Sequence, residues 1–146
     1  MVCTFFGHGD TPLSVKPQVE NLIRTLIEKH GVNLFYVGNH GNFDKIVTQV
    51  LKELQTEYSI EYYIILAYMP TKGSPYKGDN TLYPDRLENV PPKYAIIKRN
   101  EWMINNSDIV VTYVRHDFGS AAKFKATAVK KNKQVFELFD KAELPL

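Results

Sequence analysis

Apolar residues in this chain fall into two patterns: short continuous runs, and longer stretches in which they recur every three or four positions. Val2 to Phe6 is a run of the first kind. It is apolar and β-branched, and Gly7-His8-Gly9-Asp10 closes it, so it reads as a buried strand ending in a loop. Val15, Val19, Leu22, Ile23, Leu26 and Ile27 then recur at helical spacing. Pro17 suits the first turn of that helix and Gly31 its C-terminal cap. The order repeats with Leu34 to Val37, a second strand closed by Gly38-Asn39-His40-Gly41. Asn42 is then placed to cap a helix carrying Phe43, Ile46, Val47, Val50, Leu51 and Leu54 on one face. Tyr62 to Tyr68 is a third apolar run, ending at Met69-Pro70. Tyr94 to Asn106 predicts a helix with Ala95, Ile96, Ile97, Met103 and Ile104 as core candidates. Asp108 to Val114 and Gln134 to Phe139 predict two more strands, with a helix between them marked by Ala121, Ala122, Phe124, Ala128 and Val129.

Near-continuous apolar strands separated by helices predict a parallel sheet covered on both faces. The expected fold is α/β, a Rossmann-like sheet of about five strands filling residues 1–146 as one domain. Right-handed crossovers place the loop after every strand on one edge. We choose the strand order 3-2-1-4-5 because it puts a switch point between the first and fourth strands, where such sheets bind ligands. Met69 to Lys93 breaks the rhythm with a long stretch rich in Gly, Pro, Asp, Asn and Tyr, which reads as either a lid or a disordered insertion. Its place on the ligand edge, with Tyr76, Tyr83 and Arg86 available to stack or pair, favours the lid.

Composition narrows the function without naming it. With 146 residues, 44% of them hydrophobic, the chain can bury a core that needs no disulfide or metal. Eighteen basic against sixteen acidic residues leave a net charge of +2, too little to mark a nucleic-acid protein. Lys123, Lys125, Lys130, Lys131 and Lys133 lack interleaved aromatics and read as a solvated face. The lone Cys3 lies in the first apolar run and reads as a buried thiol in a reducing compartment. With no basic leader and no apolar run of about 18 residues, the expected location is the cytoplasm, away from any membrane.

Three loops on the predicted edge share one composition: Gly7-His8-Gly9-Asp10; Gly38-Asn39-His40-Gly41-Asn42-Phe43-Asp44; and Arg115-His116-Asp117-Phe118-Gly119-Ser120. Glycines allow close backbone approach, and each following helix offers free N–H groups and the positive end of its dipole. That pattern predicts an anion cradle. Three of the four histidines, His8, His40 and His116, fall in these loops, leaving His30 at a helix end. They lack the short i, i+3 or i, i+4 spacing of helical metal motifs, so we expect them to donate hydrogen bonds to phosphate or ribose or to stack on a base. No metal and no cofactor is expected. Arg99 and Asn100, mid-helix, read either as a solvated face or as a guanidinium reaching phosphate in bidentate fashion. Met69, at the end of the third strand, completes the candidate ligand-binding set.

Together, Cys3-Thr4-Phe5-Phe6-Gly7-His8, Phe35 to Asp44, Leu66-Ala67-Tyr68-Met69-Pro70, Lys98 to Ile104 and Asp108 to Tyr113 resemble a bacterial and phage group of the SLOG superfamily. The resemblance spans nearly the whole chain. It implies a Rossmann-like sheet that senses or processes nucleotide-derived ligands, often as a homodimer or higher homo-oligomer. The superfamily includes the LOG (lysine-decarboxylase-like) phosphoribohydrolases. Those hydrolases carry a Pro-Gly-Gly-x-Gly-Thr-x-x-Glu loop, whereas the matching stretch here reads Asp117-Phe118-Gly119-Ser120-Ala121-Ala122-Lys123-Phe124. Lys123 stands close to where the glutamate would fall, so binding without turnover is the favoured expectation. The ligand implied is ADP-ribose-like or a cyclic nucleotide signal. Because such domains are common in phage genomes, the resemblance also implies sequestration of a host immune signal. The alternative is an N-glycosidase or phosphoribohydrolase that uses Asp44 or Asp10 as its carboxylate.

Overall fold

A computed structural model of the chain describes residues 1–70, 80–115 and 119–138. The architecture is α/β, a Rossmann-like parallel sheet between two layers of helix. Its elements in chain order are β1 (Val2–Phe6), α1 (Lys16–His30), β2 (Leu34–Val37), α2 (Asn42–Leu54), β3 (Glu61–Ile65), β4 (Thr81–Leu82), α3 (Ala95–Asn105), β5 (Ile109–Thr112), α4 (Ser120–Lys130) and β6 (Gln134–Glu137). The sheet order is β4-β3-β2-β1-β5-β6, and every neighbouring pair is parallel.

Alternate residues of each strand feed opposite layers, as the two-residue period requires. On one face Phe5, Phe35 and Val111 pack with Ile23 and Leu26 of α1 and with Phe43, Val47 and Leu51 of α2. On the other, Phe6, Ile65 and Val110 pack with Met103 and Ile104 of α3 and with Phe124 and Ala128 of α4. Each of the larger of these side chains, fully buried, stabilises the fold by about 1.5 to 3 kcal/mol before entropy is counted. The chain steps outward from β1 to β3 beneath α1 and α2. It then returns across the opposite face through α3 to β5, on the other side of β1. The reversal between β1 and β5 is the expected switch point.

Two local features depart from the sequence reading. The strand order holds for the five expected strands, but a sixth, β4, adds itself beside β3 through Thr81 and Leu82. It lies within the Met69 to Lys93 stretch. The described part of that stretch is tied down: Ile64 N–H donates to Asn80 O at 2.8 Å, Leu66 N–H to Leu82 O at 2.8 Å, and Tyr68 Oη to Pro92 O at 3.1 Å. Two short 3₁₀ turns, Leu87–Asn89 and Pro92–Tyr94, follow. Tyr76 lies outside the described residues, as does the rest of 71–79. Asn42, expected to cap α2, is instead its first helical residue, and Gly41 holds the cap position with φ +91°.

Candidate functional site

Loops after β1 and β2 meet because glycines let them. A Cβ built on Gly7 would lie 2.2 Å from Phe43 Cγ, so the Phe43 ring occupies the space a side chain would need. A Cβ on Gly41 would lie 2.5 Å from Gly9 Cα, and Asn42 N–H donates to Gly9 O at 2.9 Å. Much of the glycine requirement is thus met by protein packing against protein. Gly41 and Gly119 share a second property: they cap α2 and α4 with φ, ψ of 91°, 176° and 94°, 176°. Only glycine populates that region readily. Neither helix start carries a side-chain cap, and the N–H groups of Ser120 and Ala121 face no protein acceptor among the described residues.

Beside these helix starts lies a cavity of about 330 Å³, walled by Gly7, Gly9, His40, Gly41, Asp44 and Ser120 and floored by apolar side chains of β1, α3 and α4. Arg99 and Asn100 enter it from α3. Arg99 is only 2% exposed, and its charge is held by neighbours rather than by water. Nε donates to Asn100 Oδ1 at 2.7 Å, while Nη1 donates to Ile65 O at 2.8 Å and to Asn39 Oδ1 at 3.1 Å. Nη2 lies 3.2 Å from His40 Nδ1. A guanidinium has only donors, so Nδ1 must accept, which leaves the His40 proton on Nε2. Burial, and then the Arg99 charge, hold the His40 pKa below its usual value, in keeping with this neutral form. Burial likewise lowers the Arg99 pKa, with Asp44 and Tyr68 opposing.

Asp44, in the first turn of α2, sits against the same glycine as Arg99. A Cβ on Gly38 would lie 2.8 Å from Asp44 Oδ2 and 3.2 Å from Arg99 Cζ. Its Oδ2 accepts the His40 N–H at 3.0 Å. Burial pushes the carboxyl up to about 6, against the lowering effects of that bond and of Arg99. Asp44 also walls a second cavity, of about 250 Å³, with Lys45, Thr48, Gln49 and Lys52 along α2.

Of the sequence candidates, Gly7, Gly9, His40, Gly41, Asp44, Arg99 and Ser120 come together on the first cavity. Gly38 and Asn39 stand behind it, on the second cavity, and Asn39 bonds Arg99 from there. His8 instead ties the β1 loop to the β5 loop, since its Nε2 accepts the Arg115 N–H at 2.8 Å and its ring meets Tyr113 edge-on. That nitrogen is therefore not available as the phosphate donor expected from sequence. Phe43 is buried, stacked on Tyr113 at 6.0 Å. Asn42 and Gly119 shape the starts of α2 and α4 without lining the cavity. Asp10 is exposed and off the cavity wall, and Met69 is 65% exposed and equally apart. His116 and Phe118, with Asp117, lie outside the described residues.

Sequence reasoning left Asn100 out of the site, along with the apolar floor of Phe6, Ile96, Met103, Ala121 and Phe124. Those floor residues recur at helix and strand spacing, so nothing in the pattern separates them from ordinary core. The signal for Asn100 was present: a polar residue next to an arginine in the middle of a helix whose other marked positions are core. Among the described residues, no group of three His, Cys, Asp or Glu side chains is placed to hold a metal ion, and no helix is long and apolar enough to cross a membrane. No protein-family model and no curated protein matches the chain.

Proposed function

We propose that the protein binds a phosphate-bearing, nucleotide-derived small molecule in the cavity between the starts of α2 and α4, and releases it unchanged. The observation that carries this reading is the cluster of unspent donors around a buried guanidinium. Arg99 has five N–H groups and, among the described residues, four protein acceptors, which leaves one N–H on Nη2. Asn100, 7% exposed, spends its Oδ1 on Arg99 and has no protein acceptor for its Nδ2 among the described residues. His40 Nε2–H and the first N–H groups of α4 add to the same wall. A buried cation kept beside an open cavity, with donors left over, suits an anion.

One feature favours a second reading, hydrolysis of an N-glycosidic bond. A carboxyl with a pKa about 6 is poised for proton transfer near neutral pH, and Asp44 has it. Against this, Asp44 is the one carboxylate on the wall among the described residues, and Asp10 stands away from it. Mass spectrometry of ligand recovered after incubating the protein with ADP-ribose and with cyclic nucleotides, then denaturing it, tests the choice. We expect intact ligand to co-purify with the protein; a free base would overturn binding without turnover.

A further inference from the structure

We propose that Asp44 reads the sugar hydroxyls of the bound ligand, making the site selective for a ribosyl phosphate over a bare anion or a deoxygenated sugar. This rests on the anion-binding reading and asks what else the ligand must carry. The side chains of Arg99, Asn100 and His40 offer the cavity mainly donors. Arg99 has no acceptor at all. Asn100 Oδ1 accepts from Arg99 Nε at 2.7 Å and keeps a second lone pair, while the single acceptor nitrogen of His40 is taken by Arg99 Nη2 at 3.2 Å. Ser120 can do either. Asp44 alone is an acceptor only, and at neutral pH it is mostly a carboxylate.

An anion placed at the donors cannot also satisfy that carboxylate, because two negative groups would repel. The ligand atom facing Asp44 must therefore carry a proton. Neighbouring geometry narrows its identity, since Asp44 Oδ2 and Arg99 Cζ both flank Gly38. Groups read by the two are close to each other on the ligand. A hydroxyl one or two carbons along a sugar from its phosphate meets that spacing, whereas the amino group of a nucleobase stands a whole sugar away. An ammonium would meet Asp44 but be repelled by Arg99. Size agrees, for about 330 Å³ lies at the lower end of small-molecule sites and suits a sugar phosphate with the base outside. Asp44 is also held in place before any ligand arrives, since its Oδ2 accepts the His40 N–H, leaving Oδ1 for a hydroxyl.

Calorimetric titration with adenosine 5′-monophosphate, its 2′,3′-dideoxy analogue and inorganic phosphate tests this on the parent, Asp44→Asn and Asp44→Ala. The parent should prefer the ribonucleotide over the dideoxy analogue by about tenfold, the scale of one hydrogen bond to a charged group. In Asp44→Ala the two nucleotides should bind alike, while phosphate binds as well as before or better. Asp44→Asn keeps an acceptor for the His40 N–H, so it controls for a disturbed loop and should retain part of the preference. The ratio is measured within each variant, so partial unfolding does not mimic the result. If phosphate binds but the two nucleotides do not differ on the parent, the hydroxyl assignment falls and the anion site stands. If none of the three binds, both fall.

Discussion

Asp44 and Arg99 feel each other's charge without bonding directly, and burial moves them in opposite senses: desolvation raises the carboxyl pKa and lowers that of the guanidinium. A carboxyl whose folded pKa is raised, here to about 6 from an ordinary 3.8, favours the folded state fully only while protonated. That contribution is present below pH 4 and is lost as the pH climbs through 6. Replacing Asp44 by Asn removes the loss and keeps an acceptor for the His40 N–H. Denaturant unfolding should therefore show Asp44→Asn gaining stability relative to the parent between pH 4.5 and pH 7.5. The expected gain is about 1 kcal/mol, after allowance for partial exposure of the carboxyl. An equal stability difference at both pH values would mean that burial does not tax this carboxylate. Legibility was uneven at this scale. His40, Asp44 and Arg99 were all visible as candidates, but nothing in their spacing told that Arg99 is buried, because its acceptor at Ile65 O lies 34 positions earlier in the chain. His8 was visible as a loop histidine and invisible as a tie to Arg115, 107 positions away, for the same reason.

Strands and helices were more legible, since each is written in a local period. The departures came where a neighbour overrode local preference. Two residues, Thr81 and Leu82, are too few to show a period, and they are a strand because β3 leaves an edge beside them. Asn42 is a better cap by propensity than Gly41, yet its N–H is drawn into a bond with Gly9 O, which shifts the helix start by one residue. The two glycine caps allow a controlled comparison. Gly41 and Gly119 have nearly the same φ and ψ, but among the described residues a Cβ on Gly119 meets nothing within 4 Å while one on Gly41 meets the Gly9 backbone. Backbone strain of about 1 to 3 kcal/mol is common to both alanine variants. Gly41→Ala carries a further overpacking cost of about 1 to 3 kcal/mol, since the neighbour is main chain and cannot rotate away. Urea unfolding should rank Gly41→Ala below Gly119→Ala, and equal losses would show that the Gly9–Gly41 contact yields freely. Gly41→Val would damage the fold as well as block ligand approach, because its Cβ meets the same Gly9 backbone.

At the scale of the whole molecule the site exists because the sheet reverses direction at β1. The half containing α1 and α2 supplies Gly9, His40, Gly41 and Asp44, and the half containing α3 and α4 supplies Arg99, Asn100 and Ser120. Arg99 already joins the halves, bonding Asn39 and Ile65 O from across the crossover. This division was legible only in part: alternation of strand and helix implies a parallel sheet, and the order 3-2-1-4-5 was chosen for the switch point it makes; the depth of the cavity was not legible, because it depends on which floor side chains meet. A bound anion should tighten the junction at identifiable places. First-turn amides of a helix exchange with solvent locally, because no helical carbonyl protects them. Global stabilisation by mass action slows only amides that exchange through unfolding. With saturating adenosine 5′-monophosphate, exchange should therefore slow at Ser120, Ala121, Phe43 and Asp44, where ligand oxygen would supply the missing acceptor; the Asn42 amide already has one in Gly9 O. The turn after α2 provides the internal control, because Ser59 is exposed, lies at the opposite end of α2 and lines no part of the cavity, so its amide should exchange at the same rate with or without ligand. Slowing confined to central strands, with the first turns of α2 and α4 unchanged, would place the ligand elsewhere on the molecule.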